Sequence, residues 1–380
     1  IKVFVQVELG RYTLAEGVGS LQALNRLPGP RFRVSWIVWL WLLMYLGSLC
    51  QMSGMIGGIA ELFARPEQLW AHRTWAIATA LVTGVILALG RYGMVEKLST
   101  VMVVLFTLSN LVAVGLLQGT GFRMTGSDLA HGLSFELPDK VITMLVVFGI
   151  TGVGASELIY YPLWCLEKGY ARAAGPRDDS PEWAERARGW LRVMKYDAWL
   201  SMIVYTVATL SFYVLGAAIL NRQGLTVSDR NPLDTLAQMY VQTLGSAGRP
   251  IFLVGAFMVL YSTLFVSAAS NTRLFIDLID LFKGRACEDR ARRVRIGVVV
   301  LSAVVLAVYL LFQKLVTLIM IGGVAQAMML PFLGLAALYF HHRRTPAALK
   351  PSRVWTCFLW LSFLAMNTVG VYQLTQMLPR

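Results

Sequence analysis

The stretch VITMLVVFGITGVGASELIYYPLW, residues 141–164, decides how the rest of the chain is interpreted. It is apolar enough to cross a bilayer, but Gly149, Gly152 and Gly154 loosen its middle and Glu157 follows them. A carboxylate inside a membrane is costly and indicates a functional site by default. Glycines that let a helix unwind beside such a group are typical of the broken helices of secondary transporters. The structural alternative is a helix packed through its glycines, with Glu157 near its watery end or paired to a neighbour.

The glycines also predict where this helix breaks. Three of them fall within six residues, in a segment longer than one membrane crossing needs. We therefore expect two half-helices joined by an unwound segment at about residues 152–156. The backbone carbonyls of residues 149–156 would then be available to a bound substrate.

The composition is that of a membrane protein. The 380 residues are 57% hydrophobic and 14% charged, whereas about a quarter of the residues in a soluble domain are charged. The net charge of +13 does not indicate nucleic-acid binding, because the cations lie in short loops between apolar runs, where they set orientation and attract anionic lipid. The four cysteines show no metal-binding spacing, so neither a disulfide framework nor a zinc site is predicted.

Nine apolar runs have roughly the 17 to 25 residues that a helix needs to cross a membrane, or slightly more. They are residues 34–60, 74–90, 98–122, 141–164, 198–221, 250–272, 296–313, 315–340 and 354–379. Residues 1–9 read as the end of a further span, and the chain begins with Ile1 rather than Met. We therefore expect a polytopic all-α membrane protein that is truncated at its N-terminus.

The loop charges predict the orientation. With the loop at residues 11–33 taken as cytoplasmic, alternate loops carry 24 Lys and Arg on the inside and 9 on the outside. An excess of cations is typical of cytoplasmic loops. Residues 167–195 and 273–295 are then also cytoplasmic, and the C-terminus is outside.

The loop at residues 167–195 contains a helix start. Ser180 is a candidate N-cap, Pro181 suits the first helical position and Glu182 suits the first turn. Apolar residues then fall roughly on one side: Trp183, Ala187, Trp190, Leu191 and Met194. We predict an amphipathic helix that lies in the membrane interface and leads into the next span.

Other polar residues within the spans give weaker signals. Gln51, Asn110, Gln326 and Asn367 could line a pathway, or could only form hydrogen bonds between helices. Gln326 stands out because it follows two glycines in a second softened run, which ends Leu-Pro-Phe at residues 330–332.

The order and lengths of the spans resemble those of the Nramp family of divalent metal transporters, in a divergent bacterial branch. QVELGRYT at residues 6–13 resembles the cytoplasmic end of the family's second helix. WLRVMKYDA at residues 190–198 resembles the charged beginning of its seventh helix, and Leu-Pro-Phe at residues 330–332 resembles a motif of its tenth. None of these is specific alone, but their order and spacing together cover nearly the whole chain.

The resemblance implies a LeuT-like inverted-repeat helix bundle: two inverted five-helix repeats and an eleventh helix, in one transporter domain over residues 1–380. Residues 1–9 would end helix two, and residues 34–122 would be helices three to five of the first repeat. Residues 141–340 would be the whole second repeat, and residues 354–379 helix eleven. The protein would be a multi-pass protein of the cell membrane, the inner membrane in a bacterium.

The sequence departs from the family pattern at two places. The family's first helix has an Asp-Pro-Gly-Asn stretch whose Asp and Asn bind metal, and we expect that helix to be absent here. Its sixth helix usually has Ala-x-x-Met-Pro-His, and aligning the glycines places Val153 at the Ala, Ser156 at the Met, Glu157 at the Pro and Leu158 at the His. A thioether is lost and a carboxylate is gained. Oxygen ligands suit Mg²⁺, Ca²⁺ or Mn²⁺, whereas soft sulfur favours transition metals.

These observations lead to a secondary active transporter of divalent cations (Mn²⁺, Fe²⁺ or Mg²⁺), linked to protons by symport. It would work by alternating access around residues 149–157, with Glu157 and Ser156 as metal ligands. The candidate substrate- or ion-binding residues are Glu157, Ser156, Ala155, Gly152, Gly154 and Gln326. Membrane lipid, the ion and protons are the expected partners, and we infer no cofactor, nucleic acid or obligate protein partner.

Two alternatives stay open. One is an ion-coupled symporter of a small organic solute with the same fold, because Glu157 can pair an ammonium as well as a metal. The other is a non-transporting membrane protein. An enzyme is not expected, because no His falls in a predicted span and no nucleophile–base pair is visible.

Overall fold

The computed structural model describes residues 1–64, 67–90, 92–134, 141–229, 231–285 and 288–377. Within them the chain is mostly helical. The strands found there are the two-residue β1 (Arg31–Phe32) and β2 (Val34–Ser35), which pair antiparallel with Arg31 opposite Ser35.

Fifteen α-helices occur in the described ranges. In chain order they are α1 (Lys2–Glu16), α2 (Ser20–Asn25), α3 (Trp36–Phe63), α4 (Leu69–Ala88), α5 (Tyr92–Leu117), α6 (Gly126–Gly132), α7 (Val141–Ile150), α8 (Ala155–Glu167), α9 (Tyr170–Ala174), α10 (Pro181–Leu215), α11 (Pro232–Leu244), α12 (Gly248–Lys283), α13 (Arg290–Phe312), α14 (Leu315–Arg343) and α15 (Arg353–Met377). A π-helical turn, Gly216–Asn221, continues α10, and 3₁₀ turns occur at Gly245–Ala247 and Ala347–Leu349.

Eight segments of the described chain are long and apolar enough to cross a membrane. They are Trp36–Phe63, Leu69–Ala88, Val146–Glu167, Pro181–Asn221, Pro232–Lys283, Arg290–Phe312, Leu315–Arg343 and Arg353–Tyr372. The remaining predicted span, residues 98–122, corresponds to α5, whose apolar part, Val103–Leu117, is shorter. The prediction of a polytopic all-α membrane protein is confirmed.

The first helix extends further than predicted. A polar loop was expected from Arg11, but α1 continues to Glu16 and ends where Gly17 adopts φ 63°. Arg11 is 1% exposed, because its guanidinium lies 2.9 Å from the Glu8 carboxylate one turn earlier and donates to the carbonyl of Leu349. The charge of Arg11, which suggested a polar loop, is instead paired with Glu8 inside the protein.

Glu8 also fixes α1 to the last two helices. Its carboxylate accepts a hydrogen bond from Trp355 Nε1 at 2.6 Å and lies 3.3 Å from His341 Nδ1. The other ring nitrogen of His341 lies 3.0 Å from Thr356 Oγ1. The expectation that the spans contain no His is therefore wrong. His341 lies within α14, which runs three residues past the predicted end, and serves as a buried hydrogen-bond partner.

The predicted helix start at Ser180 is confirmed. Pro181 is the first helical residue, and Ser180 Oγ accepts a hydrogen bond from the Trp183 N–H at 3.1 Å. The prediction that this helix lies in the membrane interface is wrong. Helix α10 runs unbroken to Leu215, and Trp183 and Met194 on its apolar side are fully buried against α1 and its neighbours. Protein, rather than lipid, covers the apolar stripe.

The cap at Ser180 gives a stability prediction. Ser180→Ala removes the acceptor for the Trp183 N–H and should lower the free energy of unfolding by about 1 kcal/mol, whereas Ser180→Asp should retain most of it. Thermal unfolding in detergent, followed by tryptophan fluorescence, measures both. Equal midpoints for the Ala and Asp variants would show that the cap contributes nothing.

Helices α3 and α14 pack with their backbones close together. A Cβ atom added at Gly322 would lie 2.9 Å from the carbonyl oxygen of Gly47, and one added at Gly54 would lie 2.9 Å from that of Leu315. Small residues allow this approach between membrane helices. It brings Gln51 of α3 next to Gln326 of α14, which is one of the candidate binding residues.

Candidate functional site

The helix over residues 141–164 is broken, as predicted. The last helical bond of α7 runs from the Thr151 N–H to Val147 O at 2.8 Å, and α8 starts with a bond from Leu158 N–H to Gly154 O at 3.1 Å. Residues 151–154 between the two half-helices are not helical. Gly152 has φ +72°, a conformation that L side chains rarely adopt, so a glycine is needed there. The joint begins one residue earlier than predicted and ends two residues earlier, because Ala155 and Ser156 already belong to α8.

Glu157 lies in the first turn of α8, and Gly154 is the N-cap residue. The positive end of the helix dipole favours a carboxylate at this position. The Oε2 atom of Glu157 is shielded from solvent and has no hydrogen-bond partner among the described residues. The carboxylate does lie beside the N–H groups of Gly154 and of its own residue. An unpaired buried acceptor costs about 1–3 kcal/mol or more, so a bound ligand is a physical explanation for it.

Two further oxygen atoms lie near Glu157 Oε2, around Gly154. A Cβ atom added at Gly154 would lie 2.5 Å from Glu157 Oε2, 2.6 Å from Gln326 Oε1 and 3.1 Å from the carbonyl oxygen of Gly149. These oxygens come from α8, α14 and the end of α7. Gln326 is held in place because its Oε1 accepts from the Ser156 N–H at 3.2 Å and its Nε2 donates to Gln51 Oε1 at 2.6 Å.

The remaining predicted residues have different surroundings. Ser156 is 3% exposed, and its hydroxyl lies 3.3 Å from that of Ser48 on α3. Ala155 is fully buried and its side chain offers no ligand atom. Gly152 faces the ring of Tyr205 on α10, since a Cβ there would lie 2.9 Å from a ring carbon. The structure therefore brings Gly154, Ser156, Glu157 and Gln326 together, and places Gly152 in the non-helical joint.

Sequence reasoning missed two contributors. Gln51 was one of four weak polar signals, and nothing in its surroundings pointed to Gln326. Lys2 was given no role, yet its Nζ donates to the carbonyls of Phe148 and Thr151 at the end of α7. The Gly149 carbonyl, by contrast, belongs to the stretch whose carbonyls were expected to be available to a substrate, and it faces the oxygen cluster.

The ligand atoms of this cluster suit a cation that binds and is released. In the ranges that the structure describes, no three His, Cys, Asp or Glu side chains form a group able to hold a metal. A cation here would be held by one carboxylate and by neutral amide and carbonyl oxygens. Such a low-charge set of oxygen ligands fits hard cations and substrate sites at broken helices.

The structure is similar to that of a manganese transporter from Eremococcus coleocola. The form in complex with an aromatic bis-isothiourea substituted compound has a TM-score of 0.66 at 18% identity, covering 98% of this chain and 77% of that chain. A Glu-to-Ala mutant of that transporter has a TM-score of 0.65 at 17% identity, with 98% and 77% covered. A His-to-Ala mutant has 0.64 at 17% identity, with 97% and 76% covered. At these identities the likeness shows the fold.

Comparison with curated protein sequences gave no match. The family described as natural resistance-associated macrophage protein-like, or Nramp, matches residues 2–376. That match includes both half-helices, α3 and α14, and agrees with the LeuT-like bundle. The chain belongs to the Nramp family.

Proposed function

We infer that the chain is a secondary active transporter of divalent metal cations and not an enzyme. Membership of the Nramp family supports this conclusion for the class of substrate. The observation that carries it is the joint between α7 and α8, where Glu157 Oε2 has no hydrogen-bond partner among the described residues and faces Gln326 Oε1 and the Gly149 carbonyl. Substrate sites of this architecture lie at such joints.

For the ion, we propose Mn²⁺ and Mg²⁺ ahead of Fe²⁺. The ligand atoms that converge at Gly154 are all oxygens, and Ser156 beside them carries a hydroxyl. Carboxylate and carbonyl oxygens suit Mg²⁺ and Mn²⁺, whereas softer metals gain from nitrogen and sulfur ligands. The structurally similar protein from Eremococcus coleocola is a manganese transporter, which supports Mn²⁺.

We propose that transport is coupled to protons, as symport, so that a proton and the cation cross in the same step. Breaking a buried ion pair leaves an uncompensated charge at a cost of about 3–5 kcal/mol, so Glu157 needs a compensating cation in every state of the cycle. The transported ion would supply it in the loaded carrier. The half-helices would reorient about the joint between them, where Gly152 has a positive φ. We place the protein in the inner membrane of a bacterial cell, surrounded by lipid and without an obligate protein partner.

Uptake into proteoliposomes tests this proposal. An inward proton gradient should drive Mn²⁺ accumulation together with acidification of the lumen, and external Mg²⁺ should compete with Mn²⁺. Liposomes without the protein are the control. Transport of an organic cation with no uptake of any divalent metal would instead favour the solute symporter, and transport of neither would contradict both.

A further inference from the structure

Lys2, at the start of α1, lies at the broken helix, although it is far from that helix in sequence. The side chain is 8% exposed. Its Nζ donates to the carbonyl of Phe148 and, at 3.1 Å, to that of Thr151, and it lies 4.5 Å from the centroid of the Phe148 ring. These carbonyls flank Gly149, whose own carbonyl faces the oxygen cluster. The ammonium therefore lies directly beside the proposed ion site.

The positions of Lys2 and Glu157 are complementary. The carbonyls that Lys2 contacts are at the C-terminal end of α7, which is the negative end of that half-helix, and Glu157 is at the positive end of α8. The Gly149 carbonyl, which lies between the two carbonyls that Lys2 contacts, shares the oxygen cluster with Glu157 Oε2. Even so, Glu157 Oε2 has no hydrogen-bond partner in the described parts of the chain, so Lys2 offsets the carboxylate charge without a hydrogen bond to that oxygen.

We propose that Lys2 is a tethered cation that holds the joint when no substrate is bound and keeps monovalent ions out of the site. The proposal rests on the proposed function and makes Lys2 a specificity-determining residue. A tethered group competes at a high effective concentration with any ion from solution. An entering ion must therefore displace the ammonium from the carbonyls or bind against its repulsion.

The charge of the entering ion decides whether that ion can displace the Lys2 ammonium. The attraction between Glu157 and a cation is proportional to the charge of the cation, so a divalent ion gains about twice what Na⁺ gains at the same distance. The hydrogen bonds lost when Lys2 is displaced are the same for both ions. A divalent ion can thus offset this fixed loss, while Na⁺ or K⁺ fails to enter at ordinary concentrations. Without Lys2, the carbonyls and Glu157 would be open to monovalent cations.

The experiment is Mn²⁺ binding to the purified protein, measured by titration calorimetry with and without 150 mM NaCl at constant ionic strength set by choline chloride. Lys2→Met should bind Mn²⁺ roughly tenfold more tightly than the unmodified protein in choline, since one charge-assisted competitor is gone. In NaCl this gain should be lost, whereas the unmodified protein should bind equally in both salts.

Two controls separate a specificity role from a structural one. Lys2→Arg keeps the positive charge and should remain insensitive to Na⁺. Lys195→Met removes a cation that lies 5.1 Å from the Trp355 ring, away from the joint, and should leave binding unchanged. If Lys2→Met does not fold, Lys2→Gln replaces it in the same test.

The outcomes for the two proposals are distinguishable. Equal Mn²⁺ affinity and equal Na⁺ insensitivity in the Lys2 variants and the unmodified protein would overturn the role of Lys2 and leave the proposed function standing. No Mn²⁺ or Mg²⁺ binding to the unmodified protein would overturn the proposed function itself.

Discussion

Glu157→Gln is expected to abolish Mn²⁺ and Mg²⁺ transport while the protein still inserts and folds. The amide keeps the shape of the side chain and one acceptor oxygen, but it cannot offset a divalent charge. We expect Mn²⁺ affinity to fall by at least about 100-fold, the effect of losing the one charged ligand of the site. Calorimetric Mn²⁺ binding and proteoliposome uptake measure the two losses, and size-exclusion chromatography reports folding.

Glu8→Gln is the matched control for Glu157→Gln. Glu8 is also a buried carboxylate, but it is paired with Arg11 and accepts a hydrogen bond from Trp355. Removing one member of a buried ion pair costs about 3–5 kcal/mol, so this variant should lose stability while its folded fraction still binds Mn²⁺. If Glu157→Gln also lost stability and kept its Mn²⁺ affinity, Glu157 would be a structural carboxylate and the proposed site would be wrong.

Gly154→Ala is expected to have a comparable effect on binding through geometry alone. The new Cβ would lie 2.5 Å from Glu157 Oε2 and 2.6 Å from Gln326 Oε1, closer than real Cβ contacts. Both oxygens must therefore move, and the arrangement that faces the ion is lost. We expect at least about a 100-fold loss of Mn²⁺ affinity, with only a small cost in stability because both oxygens are at the ends of flexible side chains.

Gly189→Ala provides the corresponding control in a helix interior. No heavy atom comes within 4 Å of a Cβ added at Gly189 of α10, so alanine fits there. It should stabilise the helix by about 0.5–1 kcal/mol and leave Mn²⁺ binding unchanged. Unchanged affinity in Gly154→Ala would show that the three oxygens do not act together as ligands.

The parts of the structure that could be predicted from the sequence are those with local causes. The break in the helix follows from glycines and a carboxylate within one short stretch, so residues 151–154 were found to within a residue or two. The helix start at Ser180 likewise depends on a hydrogen bond to Trp183, three residues away. The membrane spans follow from apolar length, which is also a local property.

The parts that could not be predicted depend on distant partners. Gln326 was a candidate, but its bond to Gln51 joins residues 275 positions apart, and only the packing of α3 on α14 brings them together. Arg11 was assigned to a loop because an unpaired arginine belongs in water, and its partner at Leu349 is 338 positions away. The position of Lys2 at the end of α7 has the same origin.

The network around Glu8 and Arg11 also bears on how the protein is made. The Leu349 carbonyl that receives Arg11 is 338 residues downstream, and the Trp355 ring that donates to Glu8 is 347 residues downstream. Ribosomes add about 5–20 residues per second, so the interval between Arg11 and Leu349 is roughly 17 to 68 seconds. Throughout that interval Glu8 and Arg11 have each other but lack the partners that α14 and α15 supply. Helix α1 therefore reaches the environment described here only after α14 and α15 have left the ribosome.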